Sequence, residues 1–133
     1  MGEAEKKDPN FVLVPTMTPH EVVSLLLSRF PAMRDVVCPD EDCFNEPTRV
    51  YDSFDAEVVR RVDDREVFQR VVRFIDDIAE NRDPLLSTVL VISLLEGIAA
   101  NPDVARRLSG AVGGTARMLL RDVERRIYQR LNT

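Results

Sequence analysis

Tryptophan is absent from this chain of 133 residues; tyrosine and cysteine occur twice each, and histidine once, as His20. A single histidine leaves most metal sites without their commonest ligand and most proton relays without their carrier. Long hydrophobic runs are missing as well. The longest uncharged apolar stretch, Leu85–Leu95, has 11 residues, about half of what a helix needs to cross a bilayer. The opening MGEAEKKDPN is polar and lacks the apolar stretch of a secretory signal, so a cytoplasmic protein with reduced thiols is expected. Lysine is nearly missing, 2 residues against 16 arginines, and both fall in the first ten positions. That bias points to a GC-rich bacterial coding sequence.

What is present is an ordinary globular mixture, 44% hydrophobic and 31% charged, in a length that fits one domain. A net charge of −5 and a pI near 4.9 argue against nucleic acid and anionic membranes as partners.

Residues 1–17 read as a flexible tail with one apolar patch, Phe11–Pro15, and residues 18–133 as a helical domain. Thr18-Pro19-His20-Glu21 is a capping box with proline at the first helical position. A helix with Val22, Val23, Leu25, Leu26, Leu27 and Phe30 on a broad apolar face follows. Pro31–Val37 supplies a further short turn. The loop Cys38–Pro47 has no side chains suited to a core. Val50, Phe54, Val58 and Val62, at spacings of four, predict a helix over 49–62. Asp63 or Asp64 then caps a helix burying Val67, Phe68, Val71, Val72, Ile75 and Ile78. Asp83-Pro84 opens Leu85–Ala100, apolar nearly all round and so expected at the centre, with Val89, Leu90, Ile92, Leu94 and Leu95 inaccessible. Asn101-Pro102 starts a short helix through Leu108, and Gly113-Gly114-Thr115 starts the last, carrying Leu119, Leu120, Val123, Ile127 and Leu131. The fold class is therefore all-α, a single compact bundle of five or six helices, in which two successive pairs resemble HEAT-like stacked units.

Few residues offer chemistry. Cys38 and Cys43 have only His20 and the carboxylates of Asp40 or Asp42 as further zinc ligands. Ligand count favours two reduced thiols, with an oxidised loop as a third reading. Asp40-Glu41-Asp42 fails as a calcium loop, since Asn45 and Tyr51 stand where glycine and glutamate are needed. Gly110–Thr115 precedes a helix but has no following lysine, so a plain turn is expected. A nucleophile relay would have to use His20, in the first turn of a helix. No enzyme, cofactor or metal is expected.

Glu96, near the end of the most apolar helix, needs a counter-charge, and Arg117, early in the last helix, is the candidate for a structural ion pair. Charge is also unevenly distributed. Between Asp40 and Glu57 seven acids stand against Arg49 alone, net −6; between Val104 and Thr133 seven arginines stand against Asp122 and Glu124, net +5. Asp40, Glu41, Asp42, Glu46, Asp52 and Asp55, interleaved with Phe44 and Tyr51 as anchors, form a candidate docking surface for a protein with a basic surface. The sequence leaves the oligomeric state open, a homodimer included. The alternative is a DNA-binding regulator using residues 102–131, which look like a helix-turn-helix with Arg106, Arg107, Arg117 and Arg121 available. Ser109 stands at the usual turn glycine and Gly110 one position late.

Arg29-Phe30-Pro31, Glu46-Pro47 followed by a helix with Asp52, Phe74–Ile78, Leu94-Leu95-Glu96 and Thr115-x-Arg117-x-Leu119-Leu120 follow one another in that order. That order resembles a family of small, uncharacterised all-helical bacterial proteins of immunity-protein-like character. The resemblance spans about residues 18–128 and leaves out Phe11–Pro15 and both cysteines. It implies a non-enzymatic role, neutralising a toxin by binding it, and supplies no catalytic residues.

Overall fold

Proline and capping side chains set where most helices begin. In the computed structural model, which describes residues 16–131, α1 (Pro19–Arg29) opens on the capping box. Thr18 Oγ1 accepts from the Glu21 N–H at 3.1 Å and Glu21 Oε1 from the Thr18 N–H at 2.9 Å, so two free helix-end donors are satisfied reciprocally. A 3₁₀ turn, Pro31–Met33, leads into the one-turn helix α2 (Arg34–Val37). A second 3₁₀ turn, Asp42–Asn45, precedes α3 (Pro47–Arg60), which has proline in its first turn and so starts two residues earlier than the apolar spacing predicts. Asp64 caps α4 (Arg65–Glu80), accepting from the Val67 N–H. Asp83 caps α5, accepting from the Leu86 N–H at 3.0 Å. This helix runs as Pro84–Thr88, a π-helical stretch Val89–Leu95 and a last turn Glu96–Ala99. The chain closes with α6 (Pro102–Ala111) and α7 (Gly114–Leu131). These are seven helices where five or six were expected, α2 being the addition, and no strand occurs among the described residues.

α5 is the centre. α3 packs along its π-helical stretch, α7 lies against α4 and against the later part of α5, and α6 rests on the last turn of α5. Phe30, Phe54 and Phe74 meet edge-on or tilted with ring centroids 4.8–5.9 Å apart, and Phe74 is fully buried. Val89, Leu90, Leu94 and Leu95 are inaccessible, as expected for the central helix. Ile92 is not: it is 52% exposed. Thr88 and Ile92, spaced by four on one helix strip, are left exposed by the neighbours, so an apolar circumference was no guarantee of cover. In α4, Val67, Phe68 and Val72 are only half-buried, while Phe74 takes the deep position.

The loop after α2 also departs from expectation. Cys38 and Cys43 are buried in the core and joined as a disulfide, with Cα atoms 5.5 Å apart; the expected reduced thiols are corrected to a closed loop whose covalent bond draws both residues inward. Met17, expected in the tail, is tied down, its N–H donating to Asp83 Oδ1 at 2.6 Å. The Phe11–Pro15 patch lies outside the described residues. Among the described residues no helix is long and apolar enough to cross a membrane.

Candidate partner-binding surface

The acid-rich segment falls on the disulfide loop and α3, and the structure sorts its residues into two sets. Asp40 folds back over the loop: its carboxylate accepts from the Cys43 N–H at 3.0 Å and pairs with Arg49 at 3.0 Å. The Arg49 hydrogen bond holds the Asp40 carboxyl below its ordinary range. Arg49 reaches Glu46 as well, and the two carboxylates raise the guanidinium's own affinity for its proton. Glu41, Asp42 and Asp52 are exposed, and no cation among the described residues pairs with them. Five exposed carboxylates therefore lie along this loop and the first half of α3, and one arginine, Arg49, pairs with two of them.

The other predicted members are turned inward. Tyr51 is fully buried, its hydroxyl donating to the Val22 carbonyl at 3.0 Å, and burial pushes its phenol up. It is a core residue and cannot anchor a partner. Phe44 is half-buried and already covered: His20 stacks on it at 4.7 Å and the Arg34 guanidinium lies 5.6 Å from its ring centre. Both corrections have one cause. An aromatic ring next to a core gains more by leaving water than by waiting exposed for a partner.

Asp55 also leaves the rim. Its carboxyl lies over the Cα of Gly97 in α5, where any Cβ would collide with it. Burial first, and the charge of Asp52 second, push it up to about 6. Asp55 Oδ1 and Ser93 Oγ, the latter on the π-helical stretch, are buried without a hydrogen-bond partner among the described residues. Sequence reasoning missed this contact, although a glycine and a serine among bulky apolar residues were its visible trace. Glu57 is buried too, held by Arg60 and Arg61, and the Arg60 hydrogen bond lowers its pKa.

The predicted Glu96–Arg117 pair does not form. Glu96 pairs with Arg130, near the end of α7, at 3.2 Å. Arg117 instead donates to the carbonyls of Ser109 at 2.8 Å and Val112 at 2.7 Å. The end of a helix leaves carbonyls without intrahelical partners and carries partial negative charge, so it attracts a cation. The turn between α6 and α7 is further held by the Gly113 N–H donating to Asp76 at 2.8 Å. Of the arginines proposed for DNA, Arg106 pairs with Asp103, Arg107 with Asp63 and Asp103, and Arg117 is spent on the turn; Arg121 alone stays exposed without an ion pair.

His20 Nδ1 lies 3.3 Å from Ser24 Oγ, on an exposed turn, and among the described residues no carboxylate bonds the ring's other nitrogen. No group of three His, Cys, Asp or Glu side chains suited to a metal ion is found among the described residues. The chain matches no family model, no curated protein and no solved structure.

Proposed function

We propose that this protein is a non-enzymatic protein-binding module of the immunity or antitoxin type, which neutralises a basic partner through the rim of Asp40, Glu41, Asp42, Glu46 and Asp52. One observation carries the reading: four of these carboxylates are presented on a loop braced by the Cys38–Cys43 disulfide, the Asp40–Cys43 turn and the His20–Phe44 stack, and Asp52 on the helix that follows it. Fixed charge loses little entropy on binding and speeds the approach of an opposite surface. With Tyr51 in the core and Phe44 covered, the rim acts mainly by charge.

The alternative, a DNA-binding regulator, is weaker, because only Arg121 of its four arginines is uncommitted. The test is capture of partners from the native host by wild type and by a Glu41→Lys, Asp42→Lys variant, followed by association rates at about 50 and 500 mM salt. The screening length falls from more than ~10 Å to under ~5 Å across that range. The expected result is a partner with a basic surface whose association slows several-fold in salt and in the variant. Unchanged association of the variant at low salt, or binding of duplex DNA that needs Arg121, overturns the proposal.

A further inference from the structure

The Cys38–Cys43 bond closes a short ring, and three of the rim carboxylates, Asp40, Glu41 and Asp42, sit inside it. Both ends of the ring are held without the bond. Cys38 closes α2, its N–H donating to the Arg34 carbonyl at 2.8 Å. Cys43 stands on the 3₁₀ turn Asp42–Asn45, which packs against α1 and α3. Both side chains belong to the hydrophobic core, so the two sulfurs stay neighbours when no bond joins them. A reduced pair also has an acceptor at hand. The Asp40 carbonyl lies 2.9 Å from Cys43 Sγ and 3.7 Å from Cys38 Sγ, within reach of a thiol, which is a weak donor. A short ring restrains the unfolded chain least, so opening it leaves the fold standing. The chain has no other cysteine, and no wrong bridge can form within it. Between the two ends, Pro39 to Asp42 are exposed, tied down by Asp40 through Cys43 and Arg49.

We propose that Cys38–Cys43 is a reversible thiol–disulfide site at which a dithiol reductant loosens the acidic rim. The switch rests on the rim being the docking surface. One thiolate of the dithiol attacks Cys38 Sγ, on the less enclosed residue, 3% exposed against 0% for Cys43. A mixed disulfide forms, the Cys38–Cys43 bond breaks, and Cys43 leaves as a thiolate. The second thiol of the reductant then displaces Cys38 and closes on the first. Two electrons pass to the pair, the two protons of the dithiol end on Cys38 and Cys43, and the reductant departs as a cyclic disulfide. Exchange with a disulfide reverses the reaction. Because both cysteines are buried, attack waits for the exposed 39–42 peptide to swing out, and the rate levels off as dithiol is raised. Once reduced, that peptide gains freedom which a bound partner has to take away again, so complexes dissociate faster.

The test reduces the full chain with dithiothreitol and reoxidises it with oxidised glutathione. Alkylation and mass count the thiols, circular dichroism follows the helices and hydrogen exchange follows the loop. A fluorescent, backbone-cyclised peptide of arginines is the basic probe, at about 50 mM salt so that screening stays weak. The expected result is two thiols per chain with the helical signal intact. Exchange in residues 40–42 rises about tenfold, as for a local opening, with α6 and α7 unchanged. The probe dissociates several-fold faster, and reoxidation restores every reading. Cys38→Ser with Cys43→Ser should match the reduced chain and ignore the dithiol; a response to it overturns the proposal. So does loss of the helical signal on reduction, which makes the bond a structural one. A probe that senses Glu41→Lys with Asp42→Lys but not reduction overturns the switch and keeps the rim. A probe indifferent to those two substitutions in the oxidised chain overturns the rim itself, and the switch with it.

Discussion

The disulfide loop with α3 and the α6–α7 pair carry nearly equal and opposite charge, net −6 and +5 in sequence, yet they present opposite kinds of surface. In the first, the aromatic residues are drawn into the core or covered, and the charges stay outside on a braced backbone. In the second, most charges are spent within the fold, on Asp103, Asp122 and the turn carbonyls of the pair itself and on Asp63 between α3 and α4, while Met118 and Leu131 remain exposed. The difference follows from position. α3 lies against the central helix, where every ring finds a place to be buried; α6 and the far end of α7 lie at the edge, where apolar side chains run out of neighbours. Charge counted along a sequence therefore says where a field is, and not whether contact can follow it.

That comparison breaks first at Tyr51. If it is core and not anchor, Tyr51→Ala should destabilise the fold by about 3–5 kcal/mol, read as a lower denaturant midpoint, with Phe44→Ala costing much less. Comparable, small effects for both would return Tyr51 to the surface.

Gly97→Ala should cost up to about 3 kcal/mol, because a methyl group there collides with the Asp55 carboxyl against a packed helix. Adding Asp55→Ala should recover most of the loss. An additive double variant would mean that the close approach is not what matters.

Bracing of the rim is the next point. Replacing both Cys38 and Cys43 by serine should lower stability by about 2 kcal/mol, as expected for a short closed loop, and leave the helical content in place. Hydrogen exchange should rise in residues 38–46 and stay unchanged in α6 and α7.

A smaller effect separates the inward acid from the outward ones. The folded-state pKa of Asp55, about 6, lies above its ordinary 3.8, so its protonated form favours the fold. That contribution is complete below about pH 4 and is lost as pH rises through 6. Asp55→Asn should therefore be more stable than wild type at pH 7.5, by about 1 kcal/mol once its half-exposed setting is allowed for, and indistinguishable near pH 4. Thermal melts across that range decide it; a variant less stable at pH 7.5 would reverse the assignment.

The smallest expected change in stability, within about 0.5 kcal/mol, belongs to Glu41→Lys with Asp42→Lys, since exposed charges contribute little to folding. Its effect should appear in association rates alone. A marked loss of stability would place these side chains in the fold and not on a docking rim.

Local signals determined much of this protein without help from the tertiary structure. Thr18, Asp64 and Asp83 cap helices because their oxygens meet backbone N–H groups three residues on, and Pro19, Pro84 and Pro102 begin helices because their missing N–H is not needed there. The apolar run from Leu85 marks the centre because most of its side chains have to leave water, Ile92 excepted. These effects act within one turn of chain, so sequence order is enough to see them. The tertiary structure decided what depends on a neighbour distant in sequence: Tyr51 against Val22, Asp55 over Gly97, Glu96 with Arg130, and the burial of the two cysteines. Each turns on which helix arrives opposite, and in what direction it runs, because a side chain's partner is fixed by packing across the core and not by spacing along the chain.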